Sequence, residues 1–86
     1  MKIVRKPIDV VAVFNRKELP TPIKVRMEVD GHETVVKVER VIKIQKVKNV
    51  GKGEIIYTCQ SKISGINRIY ELKFLLDVIE WSLYKI

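Results

Sequence analysis

The chain has 86 residues, 17 of them Lys or Arg against 10 Asp or Glu, for a formal net charge of +7. A chain of this length has room for one domain, which buries only about 60% of its unfolded surface, and its 47% apolar content is too high for intrinsic disorder. A single cysteine, Cys59, excludes an internal disulfide, and the longest apolar run, Val10 to Phe14, is far too short for a membrane-spanning helix.

Taken in order, the basic start Met1 to Lys6 has no apolar stretch and cleavage site behind it, so no secretory signal is read and a cytoplasmic location is expected. Ile8 to Phe14 is rich in β-branched residues and predicts a first strand. The following Asn15 to Pro22 ends in Pro-Thr-Pro, which forbids helix and favours an extended loop. Ile23, Val25, Met27 and Val29 then alternate with Lys24, Arg26 and Glu28, which predicts a second strand. Asp30-Gly31 is a hairpin signal, because both positions of the tight turn require positive φ.

Val35 to Lys48 reads as one long third strand. Val36, Val38, Ile42 and Ile44 are expected to face the core, and Lys37, Glu39, Lys43 and Gln45 the solvent. The alternation breaks at Arg40-Val41, where a bulge would let the strand bend. Lys48 to Gly53 supplies a second reversal, and Glu54 to Lys62 a fourth strand with Ile55, Tyr57 and Cys59 on one face. Ser61 to Asn67 reads as a loop.

The last segment carries two periods at once. Ile69, Leu72, Leu76, Ile79 and Leu83 have the spacing of an amphipathic helix, whereas Tyr70, Leu72 and Phe74 and then Trp81 and Leu83 alternate as in strands. Tyr, Phe, Trp and Ile favour pleated surfaces, so two strands pivoting near Asp77 are expected, with a helix over 68–84 as the alternative. The resulting fold class is all-β, with about six antiparallel strands in meander order, curled into a twisted sheet or a partly open small barrel. An α+β fold ending in that helix is the alternative.

The stretches Tyr57-Thr-Cys-Gln-Ser61, Tyr70-Glu-Leu-Lys-Phe74 and Trp81-Ser-Leu-Tyr-Lys-Ile86, with Gly65 and Asp77 between them, resemble a group of short uncharacterised bacterial β-rich proteins. The likeness covers residues 54 to 86 and, more loosely, the Pro22 to Val38 hairpin. It implies strands for the C-terminal segment and carries no activity. The chain departs from the group's polar turn, since Leu76 and Val78 flank Asp77.

No chemistry-bearing constellation is legible. His32 is the only histidine and follows the Asp30-Gly31 turn, so neither a shared metal nor a base beside Cys59, Ser61 or Ser64 is indicated. Gly51-Lys52-Gly53 lacks the spacing and the Ser/Thr of a phosphate loop. Cys59, Trp81, Tyr70 and Phe74 are expected in the core, and Tyr84 on the opposite face as the exposed aromatic. The chain therefore reads as non-enzymatic, with no cofactor and no metal.

The positive signal is charge. Residues 37 to 68 hold eight Lys or Arg against two acids, and Lys37, Arg40, Lys43, Lys46, Lys48, Lys52, Lys62 and Arg68, with Tyr84, form the candidate surface for nucleic acid or an acidic protein. A protein-interaction role through an open strand edge is the other reading, with a homodimer as one form of it and Val41 and Val47 as exposed apolar contacts. Lysines that merely solubilise strand edges would give the same composition.

Overall fold

The computed structural model describes residues 1–16, 19–49 and 52–86. Eight strands follow one another: β1 (Ile3–Pro7), β2 (Asp9–Val13), β3 (Thr21–Val29), β4 (His32–Lys37), β5 (Arg40–Asn49), β6 (Lys52–Ile63), β7 (Ile66–Leu75) and β8 (Glu80–Lys85). They form a five-stranded sheet in the order β1-β8-β7-β6-β5 and a three-stranded sheet in the order β2-β3-β4. Every pairing is antiparallel. The protein is all-β, with no helix among the described residues, so none is present there to cross a membrane.

The strand count and connectivity differ from the six-strand meander. Meander order holds within β5 to β8 and within β2 to β4, and the two sheets do not close into a barrel. The expected strand Val35 to Lys48 is split by a corner that periodicity does not register, and β1 lies ahead of the first expected strand, Ile8 to Phe14, where no strand is read from the sequence. At Ile8 the chain leaves the large sheet for the small one: Pro7 pairs with Ser82, Asp9 pairs with Arg26, and the Ile8 N–H donates to the Trp81 carbonyl at 3.2 Å. At Val38-Glu39 it returns, with the Val38 N–H on the Ile23 carbonyl of the small sheet and the Glu39 N–H on the Gln60 carbonyl of the large one. The run Val35 to Lys48 is therefore β4 plus β5, in different layers. The register irregularity falls just inside β5, between Val41 and Lys43, next to the corner where a bulge sharpens the bend.

The helix over 68–84 is excluded, because Ile66–Leu75 and Glu80–Lys85 are paired strands. The expected loop at 61–67 contracts to the two residues Ser64 and Gly65, with φ of 50° and 77°. Asp30 and Gly31 have φ of 51° and 79°. Both are two-residue hairpin turns whose twist matches the flanking strands. The reversal at Lys48 to Gly53 begins and ends in the pairs Lys48–Gly53 and Asn49–Lys52, and Gly51 lies outside the described residues.

One face of each sheet builds the core. β6 contributes Ile55, Tyr57, Cys59 and Ile63; β7 Tyr70, Leu72 and Phe74; β8 Trp81 and Leu83. The small sheet closes over them with Val25, Met27 and Val36. Phe74 and Trp81 rings lie 4.7 Å apart and Tyr57 and Trp81 rings 5.3 Å, at interplanar angles of 39° and 37°, a tilted aromatic cluster at the centre. Its polar atoms are satisfied internally. The Tyr57 hydroxyl donates to the Pro20 carbonyl at 2.5 Å. Buried Ser61 donates to the Lys37 carbonyl and receives the Tyr70 hydroxyl, both at 2.6 Å, which ties β4 of one layer to β6 and β7 of the other.

Candidate polyanion interface

β5 is an edge strand of the large sheet and the most basic element of the protein. It holds Arg40, Lys43, Lys46 and Lys48, all exposed, and no carboxylate. Among the described residues none of the four is in an ion pair. The register sorts them. Arg40 and Lys43 pair with Gln60 and Thr58 on the outer face, while Lys46 and Lys48 pair with Ile55 and Gly53 on the face that elsewhere meets the small sheet. That sheet approaches the large one at β6 and β8. Val41, near the corner, is half-buried against the core, whereas Ile44 is 50% exposed in spite of pairing with fully buried Tyr57. Ile42 and Ile44 are thus not core residues, and Val41 and Val47 are half-buried rather than free apolar contacts.

The backbone of this edge has a definite phase. The Gln60 carbonyl receives a hydrogen bond from Glu39 at the head of β5, and the Gly53 carbonyl one from Leu76 beyond β7. Backbone groups alternate sides along an antiparallel strand, so the even residues of β6 face β5 and the odd ones face β7. Their partners Lys43, Gln45 and Val47 then turn N–H and C=O toward β6. Ile44, Lys46 and Lys48 turn theirs outward, away from the sheet.

The other expected site residues are dispersed. Lys37 lies on the outer surface of the small sheet, opposite Lys24. Lys52 stands at the β5–β6 turn. Lys62 is on the outer face of β6, where its N–H donates to the Glu39 carboxylate. Arg68, opposite Ser61, is exposed at the far end of β7. Tyr84 is half-buried on the outer face of β8, three strand spacings or about 14 Å from β5.

Tyr84 has its own cations, which the sequence reading missed. Lys73 Nζ sits 3.9 Å above the ring, Lys85 Nζ 5.1 Å and the Arg5 guanidinium 5.9 Å. Arg5 lies within the β1 irregularity with φ of 48°, and Tyr84 at the register shift between β7 and β8, so neither meeting follows from alternation. Two of these cations are already matched: Lys73 to Glu54 at 3.5 Å and Lys85 to Glu71 at 4.0 Å. The trough beside the ring, about 660 Å³, is lined by Arg5, Lys73, Glu54, Glu80, Ile56 and Leu75 among others, a charge-balanced set. A second hollow of about 560 Å³ at the β1–β2 corner mixes Lys6 and Arg26 with Asp9, Glu28 and Glu33.

Of the candidate groups named from the sequence, Cys59 and Ser61 are buried, whereas His32 and Ser64 are exposed at two separate hairpin turns. Burial pushes the Cys59 thiol from 9.0 up to about 12, far from a reactive thiolate. Burial likewise pushes the Tyr57 and Tyr70 hydroxyls up to about 12, Cys59 adding to both and the Ser61 hydrogen bond partly opposing the shift at Tyr70. Among the described residues no three of His, Cys, Asp and Glu gather as a metal site. Comparison with family models, with curated proteins and with solved structures finds no match to this chain.

Proposed function

We propose that the protein is a non-enzymatic binding module that engages a polyanionic partner through the β5 edge. One observation carries the reading: a ten-residue edge strand, about 33 Å long, presents four exposed cations that have no ion-pair partner among the described residues, and the strand itself contains no acid. Elsewhere Lys6, Arg26, Lys73 and Lys85 stand beside carboxylates, and cations without an ion pair among the described residues, such as Lys24, Lys37, Lys62 and Arg68, are spread over four other strands. A field of one sign concentrated on a single edge attracts polyanions over a Debye length of about 8 Å at physiological salt.

Retention on immobilised heparin tests this. We expect retention near neutral pH that falls steeply with salt, each neutralised charge adding to the slope, and that is abolished by the double reversal Lys43→Glu, Lys46→Glu without loss of folding. Retention unchanged by that reversal would place the site elsewhere. Single-stranded nucleic acid laid across the outer face is a second reading, favoured by the half-exposed Tyr84 ring beside Arg5. It requires that Tyr84→Ala weaken oligonucleotide binding.

A further inference from the structure

We infer that the partner of β5 is an extended acidic polypeptide segment that joins the large sheet as an additional strand beside β5. This rests on the role just proposed for β5 and names the class of partner. A nucleic acid needs cations on one face with rings to stack on, whereas those of β5 are divided between both faces and Tyr84 is three strands away. A strand needs an edge. Ile44, Lys46 and Lys48 hold outward-turned N–H and C=O groups on alternate residues, the ladder that an added strand completes.

Charge and cover specify the segment further. Its side chains on the inner face meet Ile44, Lys46 and Lys48, none covered by the small sheet, so an apolar residue beside Ile44 and acids beside the lysines suit it. On the outer face its acids meet Arg40 and Lys43. A second copy of this chain is the wrong occupant. Two β5 edges side by side would bring eight cations together, and like charges on adjacent strands are unfavourable. Lysines that keep the edge from its own kind are the same groups that select an acidic strand.

The probe is an acetylated octapeptide of Glu with a single Val in the register of Ile44, which carries acids on both faces of the added strand, compared with the same peptide N-methylated on alternate residues and with oligothymidylate. Addition as a strand requires that the parent peptide slow amide exchange at Ile44, Lys46 and Lys48 and that N-methylation weaken binding at least about tenfold. The variant Ile44→Pro keeps every charge and, because its N–H points outward, takes nothing from the β6 ladder. It should retain heparin binding and lose the peptide. Equal affinity for the two peptides, peptide binding that survives Ile44→Pro, or binding of oligothymidylate without the peptide would overturn the inference while heparin retention left the proposed function standing. No retention on heparin at all would overturn both.

Discussion

Tyr57 and Ile44 face each other across one rung of the β5–β6 ladder and point to the same side of the sheet, yet Tyr57 is fully buried and Ile44 is 50% exposed. The same contrast extends along both strands. Ile55 is buried opposite exposed Lys46, and Cys59 is buried opposite half-buried Val41. Pairing decides which residues share a face, but burial depends on what lies above it. The small sheet lies over β6 to β8 and reaches β5 only near the corner, so one strand of the pair builds the core and the other is left as a charged rim.

High pH should separate these regions most sharply. Tyr57, Cys59 and Tyr70 have folded-state values raised above those of the unfolded chain, so the unfolded state releases its protons first. Their stabilisation is intact below the ordinary thiol value of 9.0 and is lost as pH rises toward about 12. We expect alkaline unfolding in that window, followed by near-ultraviolet circular dichroism, with Cys59→Ala moving its onset toward the tyrosine value of 10.0. An unchanged onset would mean that the thiol is not sealed in the core.

Truncation gives the next largest difference. Leu72→Ala, at 0% exposure, should cost about 2–5 kcal/mol in urea unfolding. Ile44→Ala should stay within about 0.5 kcal/mol, as expected of a surface change. Similar costs at the two positions would show that β5 is covered. Ser61→Ala should fall between them, at about 1–3 kcal/mol, because it leaves the Lys37 carbonyl and the Tyr70 hydroxyl buried without their shared partner.

The sequence made the strands and hairpins legible because alternation and the Asp30-Gly31 turn are local signals. Cys59, Tyr70, Phe74 and Trp81 were recognisable as core on the same grounds. Two features were hidden. The stretch Ile3–Pro7 has too little alternation to be read as a strand, and the corner at Val38-Glu39 leaves the period of two almost undisturbed, so one long strand and two strands in different layers look alike. The Arg5, Lys73 and Lys85 cluster on Tyr84 depends on strand order, β1 beside β8 beside β7, and on two irregularities of register. Parity alone could not show that β5, the strand that carries Arg40, Lys43, Lys46 and Lys48, would lack a covering layer.

Residue-resolved amide exchange along β5 in the free protein tests the account most directly. An open edge predicts fast exchange at Ile44, Lys46 and Lys48 and slower exchange, by about a hundredfold, at Lys43, Gln45 and Val47. Uniform protection from 43 to 48 would mean that another strand already occupies that side, and the docking edge would not exist.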